Sequence, residues 1–343
     1  MEKDVKKLVF SGELKASHVH AICSKLFDPK WDLGWKVSFL REFHLRGETS
    51  NEIALFAEEI LKGGRSVPSI SSPILEICGT GGDRLGLFNI STTVMFIVAA
   101  CGAKVVKIGN RAATSLSGAA DVLEALGINL FLAPQKIPIV VEEAGCVFLF
   151  APLYYPGLQS VAEARSLLAK EGFPTIFNFL GPLLNPVRPS HQLVGVCKTG
   201  LIHNYADTLN SLGRKSAWVV CGKIEDAVIE NGMDEVSTLG ETSVCSLREG
   251  KKRVFKLHPQ DFGVDPARHE DLLGGNAKEN ARLLLNILNG TDRGPRRDIV
   301  LVNAAAALCV CDIVSNISSG MQLASDAIAS GEAFRRLRSL SCF

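Results

Sequence analysis

The sequence predicts an α/β protein: a small helical unit over residues 1–65, then a larger α/β unit over residues 74–343 with a mostly parallel central sheet. Two patterns predict it. Up to about residue 65 the apolar residues stand three and four apart, as on helices. After residue 73, short β-like runs alternate with helical ones, the signature of a parallel sheet covered by helices. The length of 343 residues agrees with two units, because single cores rarely grow beyond about 250 to 300 residues.

In the first unit "VKKLVFSGEL", "ASHVHAICSKLF", "WKVSFLREFHLRG" and "SNEIALFAEEILKGG" read as helices, with Ser50 as the expected N-cap of the last. "GGRSVPSISSP", residues 63–73, is rich in Gly, Ser and Pro and reads as the linker out of it. Beyond it "ILEICG" is strand-like, "STTVMFIVAACG" helical, "AKVVKIG" strand-like, and "SGAADVLEALG" and "PQKIPIVVEEAG" helical. "CVFLFAP" and "SAWVVCG" are further strands, and three helical stretches close the chain: "LGGNAKENARLLLNILNG", "RDIVLVNAAAALCVCDIV" and "SGMQLASDAIASGEAFRRLRSL". In such sheets the ligand sits beyond the carboxyl ends of the strands, so loops 79–92, 108–118 and 221–237 are the candidate site.

Composition narrows the function. A net charge of +1 gives no electrostatic reason to expect nucleic acid or an anionic membrane, so an anionic ligand must be met by a local site. Most of the ten cysteines lie in apolar runs, which fits buried thiols in a reducing compartment. None has zinc spacing, and Cys309 and Cys311 fall in an expected buried helix. The N-terminus lacks the apolar core of a signal peptide, and the longest apolar stretch, 94–103, is about half of what a membrane span requires. The expectation is a soluble, cytoplasmic protein.

Three loops carry chemistry. In "CGTGGDRLGLFNISTT", Gly79, Gly81 and Gly82 let backbone amides approach a ligand, Asn89 adds a donor, and Ser91 and Thr92 stand where a helix begins, which together make a phosphate cradle. The alternative is a plain strand-to-helix turn with Ser91 as N-cap. It matches neither a Walker A loop nor a GxGxxG fingerprint. In "KVVKIGNRAATSLSG", Lys107 and Arg111 flank Gly109, Asn110 offers an amide, and Thr114, Ser115 and Ser117 offer hydroxyls, a set suited to a polyphosphate or to a solvated turn. In "GMDEVSTLG", Asp234 and Glu235 are adjacent carboxylates, which beside a phosphate site point to Mg²⁺. The seven histidines are scattered, with no Ser/His/Asp or Cys/His arrangement, so acyl transfer is not expected.

"GTGGD", "NIST", "KxGNR", "SGxADVLEALG", "FNxLGPLxNP" (Phe177 to Pro186), "MDE", "LxGGNAxENA" and "VNAAAAL" stand in the order found in anthranilate phosphoribosyltransferases, and the chain resembles that family over nearly its whole length. The resemblance implies a nucleoside phosphorylase/phosphoribosyltransferase type of fold, with helices around 157–190 joining the helical unit and homodimerisation through it. It implies transfer of the phosphoribosyl group of 5-phosphoribosyl 1-diphosphate to anthranilate in tryptophan biosynthesis, with Mg²⁺ as cofactor. Gly79, Gly82, Asp83, Asn89, Ser91, Thr92, Lys107 and Ser115 match donor-binding positions. Gly79, Asn110 and Arg165 match acceptor-binding positions, and Ser91, Asp234 and Glu235 match metal positions. The reaction needs alignment of the partners, stabilisation of the leaving diphosphate and exclusion of water rather than a strong base, because the amine is already a nucleophile.

Departures from the family pattern gather near the acceptor. Ile108 stands where the family carries His, Leu87 for Thr, Tyr154 and Tyr155 for a His pair, Ala119 for Ser and Pro174 for Arg. Losing charge-assisted partners typically costs about 1.5 to 3 kcal/mol, which leaves a different aromatic acceptor as an alternative. Equally, Arg165 and Asn110 suffice and the tyrosine hydroxyls compensate. Two further alternatives are a nucleoside phosphorylase, disfavoured by Asp83, Asp234 and Glu235, and a non-catalytic member that binds nucleic acid, against which stand the net charge of +1 and scattered Lys and Arg, with "KKRVFK" and "RGPRR" read as short solvated basic runs.

Overall fold

The computed structural model describes residues 2–71, 73–112, 116–224 and 232–343. Four helices come first: α1 (Glu2–Phe10), α2 (Ala16–Leu26), α3 (Leu33–Arg46) and α4 (Ser50–Gly63). Thr49, not Ser50, caps α4. Its Oγ1 accepts from the Glu52 N–H at 3.2 Å while Glu52 Oε2 accepts from the Thr49 N–H at 3.0 Å, a reciprocal box that places Ser50 inside the first turn.

The alternating part follows as β1 (Ile74–Gly79), α5 (Ile90–Ala100), β2 (Lys104–Gly109), α6 (Ala119–Ala125), α7 (Ile137–Ala144), β3 (Cys146–Phe150), α8 (Ala151–Tyr154), α9 (Ala162–Lys170), α10 (Phe177–Leu180), β4 (His191–Gly195), α11 (Ile202–Ser211) and β5 (Ser216–Gly222). The chain then forms a hairpin, β6 (Thr242–Arg248) and β7 (Lys251–Leu257), and closes with α12 (Ala277–Leu288), α13 (Pro295–Val310), α14 (Ile317–Ala329) and α15 (Glu332–Leu340). The seven strands lie in the order β3-β2-β1-β4-β5-β6-β7, parallel from β3 through β5 and antiparallel at β6 and β7. The predicted, mostly parallel sheet is therefore present, and the order in which successive strands are added reverses between the parallel neighbours β1 and β4, where ligands of open sheets bind.

Helices α5 and α13 cover one face. Both are apolar nearly all round, and Val94–Val98 and Val302–Ala307 are essentially without solvent contact, as a helix hydrophobic on every side requires. Helix α11 covers β5 and β6 on the other face and is itself packed by α4. Helix α9 packs on α3, and Phe27 meets Phe177 edge to face at 6.4 Å, so segments from the middle of the chain complete the N-terminal helical layer. All ten cysteines are free thiols, none arranged with other ligands around a metal position among the described residues.

Candidate functional site

Asp234 stands between the ends of β1 and β4, and glycine is what admits it. A Cβ on Gly79 would come within 2.1 Å of Asp234 Oδ2, and one on Gly195 within 1.6 Å of the Asp234 carbonyl oxygen. The Gly81 N–H donates to Asp234 Oδ2 at 2.7 Å, from a backbone at φ +74° that favours glycine. Asp83, whose Oδ1 accepts from the Leu85 N–H at 3.2 Å, faces the same carboxyl. Burial, and then the Asp83 charge, push the Asp234 carboxyl well above the usual carboxylate range.

Glu235 lies beside them. Burial first, and the neighbouring Asp234 second, raise it to about 8, against the pull of Lys107 and of the Ser91 backbone N–H. Lys107 is buried on β2, its Nζ donating to the Ile77 carbonyl at 2.6 Å and to Ser91 Oγ at 3.1 Å. Ser91 is thus tied to Lys107 from the first turn of α5; it is not the N-cap, a position held by Asn89. Thr92 is buried in the same turn. Gly79, Gly81, Asp83, Asp234, Glu235, Ser91 and Lys107 therefore form one linked cluster over the C-terminal end of the sheet. Gly82, at φ +89°, has open space where a side chain would be.

Asn89 bridges three elements: its Nδ2 donates to the Ser117 carbonyl at 3.4 Å, and its Oδ1 accepts from Asn280 Nδ2 at 2.9 Å. Ser115 and Thr114 lie outside the described residues. Arg111, the second cation expected on this loop, is paired with carboxylates of α6. Its guanidinium is forked onto Glu124 at 2.7 and 2.8 Å and reaches Asp121 at 3.1 Å, so its charge is already compensated. Asn110 is exposed, its Oδ1 turned back to the Arg111 N–H at 2.8 Å. The turn after it is tight enough that a Cβ on Gly118 would meet the Ala112 nitrogen at 2.4 Å.

Arg165, on α9, is half-buried over the Phe177 ring at 5.3 Å and has no acidic partner among the described residues. Burial lowers its pKa, the mark of a cation short of compensation. No hydrogen bond among the described residues joins Arg165 or Asn110 to the carboxylate cluster. Tyr154 and Tyr155 are both buried in the core. The Tyr155 ring rests on Gly64, where a Cβ would come within 2.3 Å of it, and its hydroxyl has no hydrogen-bond partner among the described residues. Tyr155 also lines a cavity of about 660 Å³ between α2, α4 and the 3-10 turn Pro156–Val161, away from the carboxylates.

Sequence reasoning missed the residues that support the cluster. Asn303 of α13 accepts from the Val236 N–H and donates to the Val236 carbonyl, both at 2.9 Å, and so holds the segment that follows Glu235. The Gly274 N–H donates to the Gly86 carbonyl at 2.9 Å, and His269 Nε2 meets the Leu85 carbonyl at 2.7 Å, pinning the first loop from outside. The available signal was an Asn inside the otherwise apolar "VNAAAALCV", since a buried amide has to be hydrogen-bonded.

The donor set fits Mg²⁺. Three carboxylates face one another with Lys107 as their near cation, and Asp234 and Glu235 are raised by burial first and by a neighbouring carboxylate second. They do not make a group of three or more ligands arranged to hold a metal ion among the described residues.

Residues 71–334 match the family model "Glycosyl transferase family, a/b domain". The anthranilate phosphoribosyltransferase of Methanosarcina barkeri is 43% identical over 306 residues, 89% of this chain and 80% of the relative. The crystal structure of the Thermus thermophilus anthranilate phosphoribosyltransferase superposes with a TM-score of 0.89 at 35% identity, covering 98% of both chains. That of the Saccharomyces cerevisiae enzyme in complex with PRPP and Mg superposes with a TM-score of 0.84 at 31% identity, covering 99% of this chain and 97% of the other.

Proposed function

Because this chain belongs to the anthranilate phosphoribosyltransferase family, we propose that it transfers the phosphoribosyl group of 5-phosphoribosyl 1-diphosphate to anthranilate, giving N-(5-phosphoribosyl)anthranilate and diphosphate, a step of tryptophan biosynthesis. The observation that carries the reading is the linked cluster at the strand ends: Gly79, Gly81 and Asp83 on one loop, Asp234 and Glu235 on another, and Lys107 bonded to Ser91 between them.

In this reading Gly79, Gly82, Asp83, Asn89, Ser91, Thr92, Lys107 and Ser115 surround the donor, and Ser91, Asp234 and Glu235 hold Mg²⁺. When bound, Mg²⁺ supplies positive charge to the leaving diphosphate. Lys107, already directed at Ser91, adds a second charge on that side, and the N-terminus of α5 favours an anion there. Gly79, Asn110 and Arg165 take the acceptor. Arg165 supports a carboxylated aromatic in particular, because an uncompensated guanidinium stacked on Phe177 offers a fork for a carboxylate beside an apolar face for a ring. The amine nitrogen bonds to ribose C1 as the C1–O bond to diphosphate breaks, and the amine proton leaves to solvent.

The proposal extends to a division into a helical unit, 1–65 with segments from 157–190, and an α/β unit, 74–343. It also includes a homodimer and a cytoplasmic location. Exposed Phe10 on α1, Leu45 on α3 and Leu167 on α9 support pairing through the helical layer, since these helices pack together and leave apolar side chains outside. No helix among the described residues is long and apolar enough to cross a membrane.

The test is incubation with 5-phosphoribosyl 1-diphosphate, Mg²⁺ and a panel of aminobenzoates, following diphosphate release. Release dependent on both Mg²⁺ and anthranilate is the expected result. Release with another aminobenzoate alone would move the acceptor, and nucleoside cleavage in phosphate without a divalent ion would overturn the reading.

A further inference from the structure

Strands β1 and β2 are in ladder register only at Ile74 with Lys104 and Leu75 with Val105, although they continue to Gly79 and Gly109. Their neighbours on the outer sides stay paired to the end, β2 with β3 through Gly109 and β1 with β4 through Gly79. The two strands therefore splay within an otherwise continuous sheet. The Val105 N–H bonds to Gly145 on the β3 side and the Thr80 N–H to Gly195 on the β4 side, so by alternation Val106, Ile108 and Ile77 turn their main-chain groups into the gap.

Buried main-chain groups require partners, and three of these find a side chain. Lys107 Nζ donates to the Ile77 carbonyl at 2.6 Å, Asn185 Nδ2 donates to the Val106 carbonyl at 2.8 Å, and the Ile108 N–H donates to Glu76 Oε1 at 3.1 Å. Glu76 and Asn185 have no solvent exposure and Lys107 has 3%. Asn185 belongs to the "GPLLNP" motif, and neither it nor Glu76 has a part in the donor or acceptor sets named above.

The geometry points to Glu76 and Asn185 as positioning residues for the transfer reaction: they act as side-chain rungs that hold the end of β2 away from β1. The gap they maintain lets the Lys107 ammonium pass between the strands to Ser91, and separates the loop that begins at Gly79 from the loop that begins at Asn110. This inference rests on the proposed function, because what it positions is the donor cluster. Either rung lost would let the strands close or leave buried groups unpaired, and Lys107 would lose its place before the fold is lost.

Calorimetric titration with 5-phosphoribosyl 1-diphosphate and Mg²⁺, with steady-state kinetics on the same preparations, tests it using Glu76→Leu, Glu76→Gln and Asn185→Leu. Both Leu substitutions are expected to raise the donor Kd and donor KM at least about tenfold. The Gln amide oxygen still accepts from Ile108, so Glu76→Gln is expected to stay within about threefold of the parent. Donor affinity unchanged in both Leu variants, or Glu76→Gln as impaired as Glu76→Leu, would overturn the inference. Should Glu76→Leu fail to fold, Asn185→Leu and amide exchange at Ile108 in the parent decide, rapid exchange there being the adverse result. A parent that binds no donor sinks the functional reading, whereas a parent that binds while its variants bind equally well sinks only this inference.

Discussion

Asp234 and Glu235 are half-buried carboxylates, and their elevated proton affinities follow first from desolvation and then from the charge of Asp83 on Asp234 and of Asp234 on Glu235. Asp234→Asn with Glu235→Gln removes the repulsion but also the proposed ion ligands. Turnover should fall below detection while the circular dichroism spectrum is kept, and retained activity would remove the metal assignment. For Arg165→Ala the expected outcome is an anthranilate KM raised about tenfold or more with donor Kd unchanged, measured by initial rates and titration. Glu76 gives a pH signature. Burial raises it to about 7, above an unfolded value near 4.3, so the folded state holds a proton that the unfolded state has released between those values. Stability should therefore decline from about pH 4.5 to 7, by on the order of 3 kcal/mol, and level off above. Urea titrations of Glu76→Gln across that range should show a decline smaller by about that amount, the remainder coming from Asp234 and Glu235, whose carboxyls are raised in the same direction. These site carboxylates and glycines were legible in the sequence because each loop carries them contiguously. Their supports were not, because Gly195, Asn280 and Asn303 act across long chain separations: the Asn in "VNAAAALCV" signals a buried amide, but no local pattern names its partner.

Helices and strands differ in how far the chain announces them. Helix α5 and strands β1, β2, β3 and β5 were readable from apolar runs bounded by glycine. Strand β4 was not, since "HQLVG" is five residues long and places His191 and Gln192 where a core strand normally carries apolar side chains. Gln192 is kept there by its bonds to the Pro182 carbonyl at 2.7 Å and from Arg214 Nε at 2.9 Å, partners that only the tertiary structure supplies. The β6–β7 hairpin was missed because β7 is almost wholly exposed and reads as a charged loop. At this scale Asn303 joins helix α13 to the carboxylate segment, and Asn303→Leu would leave the Val236 N–H and carbonyl unpaired. A loss of roughly 2 to 4 kcal/mol in denaturant unfolding is expected, together with weaker Mg²⁺-dependent donor binding.

For the whole molecule, the helical layer built from α1, α3 and α9 presents Phe10, Leu45 and Leu167 to solvent, 56%, 58% and 38% exposed. A double substitution, Leu45→Glu with Leu167→Glu, should convert a dimer to a monomer in analytical ultracentrifugation, since like charges would face each other across a two-fold axis. A parent already monomeric at micromolar concentration would refute the dimer. The edge of the sheet shows the reverse arrangement. The sheet ends on one side at β3, buried along its length, and on the other at β7, whose outer hydrogen-bonding edge is uncovered. That strand carries Lys251, Lys252, Arg253 and Lys256, with Lys252 tethered to Asp207 at 2.5 Å and Lys256 to Glu241 at 3.0 Å. An approaching strand would have to desolvate these ammonium groups and meet their charge before its backbone could pair. The basic run therefore works as a guard against sheet-to-sheet growth through the β7 edge.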